Sequence, residues 1–354
     1  MVATYHSATP DITKTAITSA LKAKEQWESM PWNDRAAIFL KAADLLSGKW
    51  RYKVMAATIL GQGKNAWQAE IDAAAELIDF LRFNVKYAND LYSQQPPMNA
   101  KGVWNRTEYR PLEGFVLAIT PFNFTAIGGN LAAAPTLMGN VVLWKPSPSA
   151  VLSNYLVYQI FEEAGLPKGV IQFLPAAQDQ VESMCNTVFG HRDFAGLHYT
   201  GSTAVFKNLW KDIANNVDIH RSYPRVVGET GGKDFHVYHP SADVRNGVVN
   251  ALRGAFEYQG QKCSALSRAY VARSLWEEKG FKKMLLEEIA KIKVGNPVEW
   301  GNFIGPVMFH PCQSKIDFSH QGSFEKSSKF LELAKGEGYE IISGGKGVFL
   351  VLHF

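Results

Sequence analysis

The sequence predicts an α/β protein of two domains, with a parallel sheet covered by helices on both faces. Short apolar runs alternate with helical stretches between residues 115 and 238. Those runs are apolar throughout, as in strands buried on both sides. The alternation then restarts, which indicates a second α/β segment. A length of 354 residues suits roughly two domains, here 1–232 and 233–354.

Residues 1–114 read as mainly helical. Asn33 or Asp34 can cap a helix running through Arg35 to Leu46, with Gly48 past its end. A longer helix is expected over 66–92, where Ala74, Leu77, Ile78, Leu81 and Val85 recur at helical spacing. Residues 94–102 are polar, contain prolines and read as a connector. Strands are expected at 115–119, 141–144, 170–174 and 194–199, with shorter ones at 226–227 and 235–238. A helix over 150–164 is stopped by Gly165 and Pro167. In the second domain a helix over 242–258, a strand over 267–272 and a helix over 275–293 follow.

Composition removes several function classes. A net charge of +4 with no Lys/Arg-rich block argues against nucleic acid. The most apolar stretch, 114–129, is broken by Pro121 and Asn123 and falls short of the ~18 apolar residues of a membrane span. Residues 1–10 lack the apolar core of a signal peptide and the arginines of a transit peptide. This reads as a cytosolic protein or a chain without its targeting segment. Cys185, Cys263 and Cys312 are far apart and odd in number, which fits a reducing compartment rather than a disulfide framework. There is no GxSxG or HExxH motif, and the histidines lack metal-ligand spacing.

Five short segments could carry chemistry. Cys263 lies in the polar run FEYQGQKCS, and Glu229 in ETGGK. A thiol and a carboxylate are what thioester chemistry needs, as nucleophile and as base for water; alone, the cysteine reads as a small buried hydrophobe. Gly201 and Ser202 follow a strand and open a helix, an arrangement that can bind an anion or simply cap the helix. Lys145 ends a buried strand, where it could meet a ribose or phosphate or lie solvated. Asn123 follows the first strand of the sheet and could donate to an oxyanion or serve a turn. The run 228–233 fails the phosphate-loop spacing, with Asp234 where Ser or Thr should follow the lysine.

In order, PFN, LWKPS, TGS, E-x-GGK and GQKC resemble the aldehyde dehydrogenase superfamily, with Glu229 and Cys263 separated by 263 − 229 = 34 positions. The resemblance covers about residues 16–307, and its detail is similar to members that oxidise glutamate γ-semialdehyde to glutamate. It implies a Rossmann-like NAD-binding domain and an aldehyde dehydrogenase-like catalytic domain. It implies Cys263 as nucleophile, Glu229 as base, and Asn123 with the Cys263 backbone N–H as oxyanion donors. NAD would meet Thr120, Lys145, Gly201, Ser202, Thr203, Ala204 and Val205. The glutamate-like tail would meet Glu76, Phe124, Lys262 and Ser264. No metal is implied. The family members form homodimers, and those that oxidise glutamate γ-semialdehyde work in the mitochondrial matrix, in proline catabolism.

The chain also departs from the family. Many relatives carry a glutamate for the adenosine ribose where Pro148 stands, so the choice of NAD over NADP rests on other groups. Residues 308–322 do not fit, 323–346 fit again, and 347–354 run out. The family continues with an E-x-FGP segment, a glycine-rich substrate loop and strands that complete sheet and dimer, so the chain is expected to be truncated at both ends and the second domain incomplete. The expected activity is an NAD-dependent semialdehyde dehydrogenase. Alternatives are an NAD-binding or interaction module with little turnover, and a cysteine acyltransferase without NAD.

Overall fold

The computed structural model describes residues 2–308 and 322–345. Cys312 and most of the two atypical stretches lie outside the described residues. Contacts divide the chain into two units, Met1–Gly61 with Ala69–Thr230, and Gln62–Gln68 with Gly231–Phe354. The short segment Gln62–Gln68, which the sequence reading assigned to the first domain, groups with the second unit.

The first unit is a five-stranded sheet in the order β3-β2-β1-β4-β5, parallel throughout. Its strands are β1 Phe115–Ile119, β2 Val141–Lys145, β3 Ile171–Phe173, β4 Phe194–Thr200 and β5 Arg225–Glu229. β1 and β2 are buried at every residue, which is why they are apolar without alternation. Helices α6 Thr125–Leu137, α7 Val151–Ala164, α8 Val181–Phe189 and α9 Thr203–Asn215 make the crossovers that parallel pairing demands.

The N-terminal helices α1 Pro10–Ser29, α2 Trp32–Ser47, α3 Arg51–Gln62 and α5 Glu76–Tyr92 belong to this unit almost entirely, whereas most of the short α4 Ala66–Ala69 groups with the second unit. α1 lies against β2 and α8, whereas α5 lies against α6 and α2. Two buried donors finish the end of α6. Trp27 Nε1 donates to the Thr136 carbonyl at 2.9 Å, and Arg35 Nε donates to the Leu137 carbonyl at 3.1 Å. Carbonyls at a helix C-terminus have no partner within the helix, so α1 and α2 supply what α6 lacks.

Two expected helices differ in detail. α2 starts at Trp32 behind Pro31, with no side-chain cap, so Asn33 and Asp34 lie in its first turn. The helix expected over 66–92 is interrupted by a π-turn at Glu70–Ala75, whose small residues Ala73 and Ala74 pack with no exposed surface. The turn leaves Glu76 at the head of α5. Apolar periodicity does not register such a widened turn, which adds one residue without breaking the helix.

The second unit pairs β6 Asp234–Tyr238 with β7 Leu266–Val271 in parallel. It adds α10 Val244–Phe256, α11 Phe281–Ile289 and α12 Gly322–Gly336. Asp243 caps α10 by accepting from the Asn246 N–H at 2.7 Å. Its core is Tyr238, Val248, Ala251, Leu252, Leu275 and Phe281. The helix expected over 275–293 is instead a π-turn at Ser274–Glu278 and α11, parted at Gly280.

Central burial in β1 sets a stability expectation. Leu117→Ala should cost about 2–5 kcal/mol, because Leu117 is fully buried. Val237→Thr, at a position 68% exposed, should change stability by about 0.5 kcal/mol or less. Urea unfolding of the two variants checks both.

Candidate active site

In the first unit, β1 pairs with β2 on one side and with β4 on the other. The chain reverses direction across the sheet there, and open α/β sheets bind ligands at the carboxyl ends of strands flanking such a point. Thr120 follows β1. Its N–H donates to the Lys145 carbonyl at 3.1 Å, and its hydroxyl accepts from Trp144 Nε1 at 3.2 Å. Asn123 and Phe124 lie between β1 and α6, with Phe124 at the cap position of α6.

Across the switch point, β4 ends at Thr200, which pairs with Glu229 at the end of β5. The Gly201 N–H donates to the Glu229 carbonyl at 3.1 Å. Ser202 caps α9 by accepting from the Val205 N–H at 3.4 Å. Thr203, Ala204 and Val205 form the exposed first turn of that helix. The structure thus brings Thr120, Asn123, Phe124, Lys145, Gly201, Ser202 and Glu229 to one edge of one sheet. Glu76 is half-buried at the head of α5, which packs along α6.

Lys145 is 8% exposed. Burial lowers its pKa, and the nearby Cys185 thiol partly opposes this. Burial also pushes the Cys185 thiol up to about 11, which makes it an inert core group. Among the described residues, no side chain or carbonyl accepts a hydrogen bond from the Lys145 ammonium. A buried donor at the carboxyl edge of a sheet where α9 also opens fits the phosphates and ribose of a dinucleotide.

In the second unit, Cys263 is half-buried in the turn between α10 and β7. Gly232 leads into β6 and lies hard against it: a Cβ at Gly232 would fall 2.6 Å from the Cys263 carbonyl oxygen. Glycine at that position therefore sets the approach of the two segments. Ser264 is exposed. Lys262 Nζ donates to Glu257 Oε1 at 2.8 Å, and Arg253 Nε donates to the same carboxylate at 2.8 Å. Burial alone would raise the Glu257 pKa, but these two cations outweigh it and hold the carboxyl below its ordinary value. Lys262, expected to face the substrate tail, carries this carboxylate as a neighbour.

The sequence reading missed how the segment before Cys263 is held. Tyr258 (φ 52°, ψ 40°) and Gln259 (φ 55°, ψ 29°) adopt left-handed backbone, followed by Gly260 at φ 68°. That conformation costs a residue with a Cβ roughly 1–2 kcal/mol. Residue types alone predict it only at Gly260.

The fold and site define an α/β protein with a dinucleotide-type crevice and a thiol-bearing turn. The chain belongs to the aldehyde dehydrogenase family, whose model matches residues 1–351. It is 60% identical over 344 residues to the Delta-1-pyrroline-5-carboxylate dehydrogenase of Agaricus bisporus, covering 97% of this chain and 60% of that protein. It is 52% identical over 347 residues to the mitochondrial Delta-1-pyrroline-5-carboxylate dehydrogenase of Homo sapiens, covering 98% of this chain and 59% of that protein. The crystal structure of the Mycobacterium tuberculosis Delta-pyrroline-5-carboxylate dehydrogenase bound with NAD superposes with a TM-score of 0.88 at 46% identity, covering 96% of this chain and 61% of that one. The chain spans about 60% of the length of the curated relatives it matches.

The Glu257 cluster predicts a pH dependence. A carboxyl whose folded pKa is depressed stabilises the fold above its unfolded value, and that stabilisation is lost as pH falls through the folded value. The window therefore opens just above the ordinary value of 4.5 and extends below it. Glu257→Gln should be less stable at pH 7 by about 0.2–1 kcal/mol. It should also lose less stability than the wild type between pH 7 and pH 4. Melting curves at both pH values check the difference.

Proposed function

We propose that the chain oxidises L-glutamate γ-semialdehyde, the open form of Δ1-pyrroline-5-carboxylate, to L-glutamate with NAD, in proline catabolism in the mitochondrion. The observation that carries this reading is 60% identity over 97% of the chain to a relative of that name. The order of the candidate residues along the strand ends and the half-buried Cys263 thiol support it.

In this reading the Cys263 thiolate adds to the aldehyde carbon. A C–S bond forms, and the carbonyl electron pair moves onto oxygen. The Asn123 amide and the Cys263 backbone N–H donate to that oxyanion, an interaction worth ~10²–10³ in rate per donor. Thr120, Lys145 and the residues 201–205 hold NAD, which when bound supplies the two-electron oxidation of the thiohemiacetal to the thioester. Glu229 then takes a proton from water as the water oxygen adds to the thioester carbonyl. The C–S bond breaks, Cys263 leaves as thiolate and the new carboxylate departs. Glu76 suits the substrate ammonium, Phe124 forms an apolar wall, and Lys262 and Ser264 suit the carboxylate end.

One observation favours a second reading, an NAD-binding form with little turnover. β6 and β7 are a two-stranded parallel pair with Phe235, Val237 and Tyr270 exposed at 62%, 68% and 51%. Parallel sheets are ordinarily covered on both faces. Beside them α10, β7 and α11 border an apolar cavity of about 710 Å³, lined in part by Leu252, Leu266, Leu285 and Ile289.

Purified chain mixed with NAD and glutamate γ-semialdehyde should form NADH, and Cys263→Ala should form none. A rise in melting temperature with NAD but no NADH from the wild type establishes the second reading; no rise and no NADH excludes both. Glu229→Gln should slow thioester hydrolysis by ~10²–10⁴, leaving acylated Cys263 visible by intact mass. Lys145→Met should weaken NAD about tenfold, or about 1.4 kcal/mol, while raising the melting temperature of the NAD-free chain, because it removes a buried cation. Calorimetric titration and thermal melts separate the two effects.

A further inference from the structure

The left-handed turn at Tyr258, Gln259 and Gly260 is three residues from Cys263, and it is fastened on two sides. Among the described residues, Tyr258 and Gln259 are the non-glycine residues at positive φ. Strain of this kind persists only where surrounding contacts over-determine it, and it collects at functional sites. The contacts here come from the side chains that glycine would lack.

Tyr258 has no exposed surface. Its phenol donates to the Gln62 carbonyl at 2.7 Å, and the Lys64 ammonium lies 4.5 Å from the centre of its ring. Lys64 is itself fully buried, where the attraction of a cation for an aromatic face is strengthened by desolvation. Gln259 is gripped by both ends of its amide. Nε2 donates to the Pro306 carbonyl at 2.7 Å, and Oε1 accepts from the Gly305 N–H at 3.2 Å. The two anchoring segments also touch each other, since a Cβ at Gly305 would fall 2.9 Å from the Gly63 carbonyl oxygen. The tie continues toward the thiol: Gln261 Nε2 donates to the Tyr258 carbonyl at 3.3 Å, and its Oε1 accepts from the Met308 N–H at 2.9 Å. All of these groups belong to the second unit.

We propose that Tyr258, locked by the Gln62 carbonyl and the Lys64 ammonium, is a positioning residue for Cys263. It holds the strained turn that fixes where the thiol is presented. An aromatic anchor explains why a position that glycine would occupy without strain carries a large side chain. The inference rests on the reading of Cys263 as nucleophile, and its test separates the two.

The test measures the rate and pH profile of Cys263 alkylation by iodoacetamide in the full chain, read by peptide mass spectrometry. The same cysteine in the urea-unfolded chain is the reference, since thiol reactivity in a fold is set by its surroundings. Folded wild type should differ from that reference. Tyr258→Phe removes the hydroxyl that bonds Gln62 and keeps the ring, and Lys64→Met removes the cation over that ring. Each should move the rate about tenfold toward the unfolded value, with the pH midpoint following. Leu275→Ala, a core substitution in the same unit, is the stability control: at equal loss of melting temperature it should leave both rate and midpoint in place. If folded wild type matches the unfolded reference, the nucleophile reading fails, and the inference with it. If wild type differs but both variants keep its rate and midpoint, or shift no more than Leu275→Ala does, Tyr258 is an ordinary core anchor. Should either variant fail to fold, the other decides.

Discussion

Burial of β1 on both faces and both edges is the constraint on which the first unit depends. A parallel strand cannot be joined to its neighbour by a tight turn, so each pairing requires a crossover that returns the chain to the same end of the sheet. With β2 on one edge and β4 on the other, the loops after β1 and β4 open side by side at the carboxyl edge. Thr120, Asn123, Lys145, Ser202 and Glu229 are therefore gathered by topology before any side chain chooses a partner. The helix ends add to this arrangement. α6 has its last carbonyls taken by Trp27 and Arg35, and the first turn of α9 remains exposed.

The second unit solves a different problem. Its small core of six fully or nearly buried residues supports a turn that L-residues adopt reluctantly. Local propensity cannot hold such a turn, so long-range contacts must. The segment Gln62–Gln68 supplies them: Gln62 through its carbonyl, Lys64 through its ammonium, and Gly63 through close packing on Gly305 and Pro306. These contacts account physically for a seven-residue segment of the N-terminal half grouping with residues beyond 230.

Much of this was legible in the residues. The strands of the parallel sheet follow from unbroken apolar runs, and the motif order named Cys263, Glu229, Asn123 and Lys145 as candidates, of which Asn123, Lys145 and Glu229 lie at one edge of the first unit's sheet. Helix α1 was not singled out, because its apolar residues are sparse and mixed with lysines and threonines. The π-turn before Glu76 escaped because helical periodicity survives a one-residue insertion. The left-handed turn escaped for a deeper reason. Sequence patterns report what a backbone prefers locally, and Tyr258 and Gln259 are held against that preference by partners 196 and 47 positions away. The partnership of Lys262 with Glu257 is likewise set by folding, since the turn that follows α10 brings the two side chains together.

The two candidate lysines show how the same residue type takes different work from its surroundings. Lys262 sits with Glu257 and Arg253 around one carboxylate, so its charge is already balanced and its ammonium is oriented. Lys145 is buried at a strand end, and burial disfavours its charged form. A cation that the protein leaves uncompensated costs stability, and that cost is offset when an anion or hydroxyl arrives.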